Sequence, residues 1–364
     1  MNKKIFFVIN SLQGGGAERV VSILAKRLHE LQYKVSIVCL NFAKPVYPLP
    51  DNLEIVYLQE RKGESFFLRI YYAVRLFIKL NYLMFNKRPD YIISFMTTAN
   101  LWTGISSFFT RANYIVSERT TPDYTINRYN KLLQLFSGLI YSRAKAVVIP
   151  SRGIEECLRK NLNFNQLKNY HVIHNPINNE ARPPAIKSVN DNKFILAVGR
   201  LSYEKGFDIL ITAFKKADLP SEIQLLIVGE GPEKETLTRQ IISLNLQERV
   251  KLLGFKKNIH DYYAQAQFFV LSSRNEGYPN ALIEAMSMGC ACIAMDCEYG
   301  PSEIIKHQHN GLLVADENMC ELSAAIKLLH TNAVLKAKLT KNAKFINKTN
   351  SLDSITSQWE AILK

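Results

Sequence analysis

Residues 194–217, FILAVGRLSYEKGFDILITAFKKA, hold one complete strand-turn-helix unit. Phe194 to Val198 are apolar without interruption, as in a strand covered on both faces. Gly199-Arg200 makes the turn, and from Lys205-Gly206 the apolar residues fall at helical spacing to about Ala217. A strand of that kind feeding a helix is half of a parallel crossover. The unit recurs downstream: IQLLIVG (223–229) with a helix to about Leu244, VKLLG (250–254) with a short helix, QFFVLSS (267–273) with a helix through Met288, and CACIAM (290–295) with a helix near Ser302.

It also recurs upstream, in KIFFVIN (4–10), KVSIVCL (34–40), LEIVYL (53–58), YIISF (91–95), NYIVS (113–117) and KAVVIPS (145–151), with AERVVSILAKRLHEL (17–31) as the first helix. Between the two series lies HVIHNPINNEARPPAIKSVNDN (171–192), with three prolines and five asparagines after its apolar start. It reads as a linker. The expected fold is therefore α/β, two Rossmann-like doubly wound domains facing across a cleft at the carboxyl ends of their strands. The boundaries read as 1–177 and 190–344, with a helix at about 345–364 packing back on the first domain.

At 364 residues with 47% apolar and 21% charged composition, the chain is globular and long enough for two cores. Residues 1–177 contain 24 Lys and Arg against 11 Asp and Glu, whereas 178–364 contain 22 against 21. Nearly all of the net charge of +14 thus sits in the first half, which is expected to meet something anionic. The six cysteines show neither C-x-x-C pairing nor zinc spacing and read as reduced thiols. His171, His174, His307 and His309 lack metal-site spacing. The start MNKKIFFVIN is too short for a signal core, and no stretch approaches the roughly 18 apolar residues of a membrane span.

Two charged pairs carry the chemistry. Arg200 and Lys205 occupy a strand-to-helix turn, where backbone amides and the helix dipole favour phosphate. Solvated surface cations would satisfy the same pattern. Glu276 and Glu284, separated by seven residues in EGYPNALIE, follow another apolar strand. Pro279 suits a first helical turn, so Glu276 would lie in the loop and Glu284 on a buried face. A buried carboxylate needs a partner, either ligand hydroxyls or a neighbouring Lys or Arg. Bases to neutralise a diphosphate and acids to grip hydroxyls are what a nucleotide-sugar site requires.

GR-x4-K followed by E-x7-E, with an apolar strand before each, resembles the retaining glycosyltransferase family 4, of GT-B architecture. The likeness extends over nearly the whole chain, through the Gly-rich first turn, LLGF, EGYPNALIEAMSMG and NGLLV. It implies that Arg200 and Lys205 hold the donor diphosphate, Glu276 the donor sugar and Glu284 the ribose. It further implies that amides around Gly277, Tyr278 and Asn280 flank sugar and phosphates, and that Gly254-Phe255 contacts the base. The donor implied is a nucleotide diphosphate sugar, most simply UDP-linked. The acceptor implied is a polyprenyl-diphosphate-linked saccharide in surface polysaccharide or glycan assembly. EGYPNALIEAM followed by YGPSEII looks like transferases of N-acetylgalactosamine or a related hexose. No D-x-D occurs, so neither metal nor cofactor is expected.

Three further stretches are read beside that resemblance. Gly14-Gly15-Gly16, between the first strand and helix, suits close approach to an anion, with Gly15 and Gly16 as donor-side candidates or simply a tight turn. Ser117-Glu118-Arg119 has arginine where many relatives have histidine. Glu118 and Arg119 are acceptor-side candidates, Arg119 suiting a phosphate, although a surface cation at a strand end fits equally. Residues 61–88 hold seven Lys and Arg against one Glu, interleaved with aromatic and aliphatic residues. They suit an anionic membrane surface or, alternatively, a core helix with basic ends. The expected location is the cytoplasm, peripheral on the inner face of the cell membrane. A nucleotide-sugar epimerase of similar fold is one rival. A basic nucleic-acid-binding protein is the other, and no arginine-rich arm, RNA-binding aromatic motif or zinc module supports it, so no nucleic acid is expected.

Overall fold

The computed structural model describes residues 3–61, 65–177 and 188–364. The chain divides into two compact units, one of Met1–Pro176 with Leu352–Lys364, the other Ile177–Ser351. In the first unit the strands are β1 (Lys4–Ile9), β2 (Lys34–Cys39), β3 (Glu54–Tyr57), β4 (Tyr91–Phe95), β5 (Tyr114–Ser117), β6 (Ala146–Ile149) and β7 (Tyr170–Val172). Its helices are α1 (Gly16–Glu30), α2 (Phe66–Lys87), α3 (Thr97–Thr110), α4 (Lys131–Arg143) and α5 (Arg152–Lys160). The second unit has β8 (Phe194–Val198), β9 (Gln224–Val228), β10 (Val250–Leu252), β11 (Phe269–Leu271), β12 (Cys292–Asp296) and β13 (Leu312–Ala315). Its helices are α6 (Phe207–Lys216), α7 (Lys234–Ser243), α8 (Ile259–Gln265), α9 (Asn280–Ser287), α10 (Pro301–Ile304), α11 (Met319–Thr331), α12 (Ala333–Ala343) and α13 (Ile346–Thr349). The closing helix, α14 (Leu352–Leu363), belongs to the first unit.

Each unit is built on one parallel sheet, ordered β3-β2-β1-β4-β5-β6-β7 and β10-β9-β8-β11-β12-β13. Successive side chains of a strand point to opposite faces, so an uninterrupted apolar strand feeds two cores. In β1, Ile5, Phe7 and Ile9 join the layer beneath α1 and α14, while Phe6 and Val8 join the layer beneath α2 to α5. In β8, Ile195 and Ala197 pack with α6, α7 and α11, and Phe194 and Leu196 with α8 and α9. Both units are thus doubly wound.

Three details depart from the sequence reading. Strands β7 and β13 lie at sheet edges, the first overlapping the segment read as linker and the second in a stretch to which no strand was assigned. Each pairs on one side alone, and that suffices for runs as short as Tyr170–Val172. The closing segment divides at Ser351 and not near 345, because α13 stays with the second unit and packs on α9. That second unit also takes in Ile177, whose N–H donates to the Asn350 carbonyl at 2.8 Å beside an Ile177–Ser351 bridge. The third departure concerns Pro279, which caps α9 and does not lie within its first turn.

Within segment 61–88, apart from residues 62–64, which lie outside the described residues, the helix has one buried face and one exposed face. Along α2, Tyr72, Leu76, Leu80 and Met84 are buried, and the last three enter the core. The opposite face leaves Phe66, Phe67, Ile70, Tyr71, Val74, Ile78, Tyr82 and Phe85 exposed. Among the described residues, no helix is long and apolar enough to cross a membrane.

Candidate functional site

In the second unit the strand order reverses between β8 and β11, which are neighbours. Loops leaving the carboxyl ends of two such strands diverge and leave a crevice, the usual ligand position in an open α/β sheet. Arg200 and Lys205 follow β8; Glu276 follows β11.

Lys205 ends a 3-10 turn, Tyr203–Lys205, and Gly206 then takes a left-handed φ of 60°. A Cβ on Gly206 would lie 2.0 Å from the Ser272 carbonyl oxygen, so the turn can approach β11 because this position is glycine. Ser272 Oγ donates to the Lys205 carbonyl at 2.9 Å, closing that contact. The result is an ion pair: Lys205 Nζ lies 2.6 Å from Glu276 Oε1, with Ser273 Oγ donating to the same oxygen at 2.7 Å. Both side chains of the pair are largely covered, 27% and 10% exposed. Cys297 lies buried nearby, where burial first and then the carboxylates of Glu276 and Asp316 push its thiol up to about 12.

Arg274, absent from the sequence reading, holds this loop to the 3-10 turn. Its guanidinium grips Asp208 bidentately at 2.8 and 2.7 Å, donates to Glu317 at 2.7 Å and to the Tyr203 carbonyl at 2.8 Å, and lies over the Tyr203 ring at 4.1 Å. Its backbone N–H donates to the Glu204 carbonyl at 2.8 Å. Hydrogen bonding to Asp208, opposed by burial, raises the guanidinium pKa. Burial opposes the charge of Asp208, yet the hydrogen bonds and charge of Arg274 hold that carboxyl below its ordinary range. Sequence alone offered one signal, a cation directly after an apolar strand, and that signal is too common to single out.

Arg200 is exposed and makes no side-chain hydrogen bond or ion pair among the described residues. The turns after β8, β9 and β10 stack edge to edge. Leu201 N–H donates to the Glu230 carbonyl at 2.9 Å, and Gly229 N–H to the Gly254 carbonyl at 3.0 Å. A Cβ on Gly229 would lie 1.9 Å from the Gly199 carbonyl oxygen, so only glycine allows that approach. Gly254-Phe255 therefore joins the Gly199-Arg200 turn through Gly229, with Phe255 48% exposed.

Glu284, on α9, is buried, and the Tyr263 hydroxyl donates to its Oε2 at 3.4 Å. Gly277 and Asn280 lie in and just after the same loop as Glu276. The Tyr278 side chain turns inward instead: its hydroxyl accepts from Asn350 Nδ2 at 2.9 Å, tying the loop to the segment beside Ile177. The structure thus gathers Lys205, Glu276, Gly277, Gly254 and Arg200 on one sheet edge.

The remaining candidates belong to the first unit, whose strand order reverses between β1 and β4. Gly14 has φ 101°, Gly15 caps α1, and the Tyr47 hydroxyl donates to the Gly15 carbonyl at 3.3 Å; Gly16 opens α1. Glu118 is fully buried. Its carboxylate accepts from Tyr141 Oη at 2.5 Å, Thr97 Oγ1 at 3.0 and 3.1 Å, Asn100 Nδ2 at 3.4 Å and Arg119 N–H at 3.1 Å. Burial raises its pKa against the pull of those donors. That carboxylate organises the interior and offers no surface to an acceptor. Arg119 donates to Asn175 Oδ1 at 2.7 Å and lies over the Phe95 ring at 4.7 Å, while its Nε has no partner among the described residues.

Two doubly wound units with a phosphate-type turn and an acidic loop at the reversal of the second sheet define a GT-B glycosyl-transfer fold. A model described as Glycosyltransferase Family 4 matches residues 14–181, and one described as Glycosyl transferases group 1 matches 178–345. The chain belongs to glycosyltransferase family 4, and so is a transferase, which displaces the epimerase and nucleic-acid readings. It is 32% identical over 349 residues, 94% of each chain, to the Campylobacter jejuni N-acetylgalactosamine-N,N'-diacetylbacillosaminyl-diphospho-undecaprenol 4-alpha-N-acetylgalactosaminyltransferase. It is 29% identical to the amylovoran biosynthesis glycosyltransferase AmsD of Erwinia amylovora, across 90% of this chain and 92% of that one. In fold it is similar to Anabaena HepE solved in complex with UDP, with a TM-score of 0.81 at 20% identity over 99% of both chains.

Proposed function

We propose that this glycosyltransferase moves a hexose or N-acetylhexosamine, with retention of anomeric configuration, from a UDP-sugar to a polyprenyl-diphosphate-linked saccharide in surface polysaccharide or glycan assembly. The observation that carries the proposal is the meeting of Lys205 and Glu276 at 2.6 Å where the second sheet reverses. One residue is suited to a diphosphate and the other to sugar hydroxyls, on loops adjoining Gly254-Phe255. The names of the Campylobacter and Erwinia relatives support the acceptor class and the pathway.

In the reaction proposed, the anomeric carbon loses its bond to the terminal phosphate oxygen and gains one to the acceptor oxygen on the same face. The acceptor proton passes to the departing phosphate. Arg200 and Lys205 take up charge developing on the diphosphate, the role in which preorganised cations contribute most. Glu276 and Glu284 hold sugar and ribose hydroxyls, and Arg119 meets an acceptor phosphate. These cations take the place of a metal, so EDTA should leave turnover unchanged. The α2 face lies against an anionic membrane surface, which brings the enzyme to a lipid-linked acceptor.

A panel of nucleotide sugars incubated with undecaprenyl-diphosphate-linked saccharides tests the function. One UDP-sugar should be consumed, with a saccharide longer by one residue. Consumption confined to another nucleotide, or epimerisation without any acceptor, overturns it.

A further inference from the structure

Lys205 and Glu276 have opposite tasks in the reading above, on which this inference rests: one holds diphosphate, the other hydroxyls. Their side chains are nevertheless bonded to each other, and Ser273 Oγ fixes the same carboxylate oxygen. The ammonium therefore presents little net charge, because a carboxylate with 10% exposure sits against it. Solvent screens such a covered charge poorly.

We infer that Glu276 sets a preference for the intact nucleotide sugar over the sugar-free nucleoside diphosphate, by acting as a negative counterweight to Lys205. A diphosphate approaching Lys205 must also approach Glu276, and two like charges a few ångströms apart repel. An intact donor offsets that repulsion, since its sugar brings hydroxyl donors that the carboxylate accepts. A nucleoside diphosphate has only its ribose hydroxyls, which the reading above assigns to Glu284. The site therefore holds the donor well and its own product weakly, which favours release once the sugar has left. Arg274 of the same loop does not offset that repulsion, because its guanidinium is already engaged by Asp208 and Glu317.

The test is titration calorimetry with UDP and with the UDP-sugar that the wild type consumes. Glu276→Gln keeps the shape and removes the charge, so UDP should bind on the order of tenfold more tightly. The UDP-sugar should gain nothing, because its hydroxyls exchange a charged acceptor for a weaker neutral one. Ser273→Ala frees the carboxylate to turn from Lys205 and should tighten UDP by a smaller factor, which keeps the question answerable if Glu276→Gln folds poorly. Product inhibition by UDP should strengthen in parallel. Unchanged or weaker UDP binding in both variants overturns the counterweight. A wild type that binds no uridine nucleotide would instead overturn the donor assignment.

Discussion

Glu118, singled out at a strand end in the sequence, lies wholly inside the first unit. Side-chain donors from Thr97, Asn100 and Tyr141 converge on it, with the backbone of Arg119, and none of its surface is exposed. Glu118→Gln turns an amide toward those donors, and each unmatched buried group costs about 1–3 kcal/mol. The melting temperature of the first unit should fall in a calorimetric scan while nucleotide affinity stays put. Arg274 is the converse case, silent in the sequence yet holding the turn that carries Lys205. Misplacement by about an ångström can cost up to 10²-fold. Arg274→Ala should accordingly weaken donor use by on the order of tenfold, with Arg274→Lys recovering part, measured as kcat/KM. Arg200→Ala and Lys205→Ala should each lose about 10²–10³ in turnover at saturating donor, as expected when a leaving-group contact goes. The charged pairs were legible because their spacing is fixed along the chain. Asp208 and Arg274, 66 positions apart, become partners only through the β8–β11 adjacency.

Helix α2 has two apolar sides, and among the described residues one of them is exposed. Periodicity could not separate the sides, since Leu76 and Ile78 look alike in a sequence although one is 1% and the other 60% exposed. Arg69 and Arg75 lie exposed among the outward aromatics, and no acidic residue occurs in Phe66–Lys87. The apolar surface continues onto neighbouring helices, where Phe109 packs edge-on against Phe77 at 5.3 Å and Leu132, Leu135 and Leu139 are exposed on α4. Interfacial helices bind through buried apolar area together with attraction to anionic lipid. Replacing Phe67, Ile78 and Tyr82 by serine should abolish co-sedimentation with phosphatidylglycerol vesicles. Melting temperature should hardly change, because these side chains are exposed in the folded chain. Unaltered sedimentation would remove α2 as the docking element.

For the molecule as a whole, alternation of apolar runs with helical patterns made the two parallel sheets readable, whereas the destination of the closing helix depends on packing. Ile355, Trp359 and Ile362 complete the layer over β1 and α1, with Trp359 stacked on Phe95 at 5.9 Å. Truncating a buried tryptophan costs about 3–5 kcal/mol. Trp359→Ala should therefore lower the melting of the first unit and leave that of the second, splitting one calorimetric transition into two. The Ile177–Ser351 bridge has a further bearing, because it places the entry and exit of the second unit side by side. That unit is in effect spliced into the sequence of its neighbour. On the ribosome, the earlier half must wait with an open apolar groove until the final turns of the nascent chain emerge, while the inserted half can already have closed. Premature termination just before Leu352 should leave a chain that chaperones retain, and its inserted half should still fold.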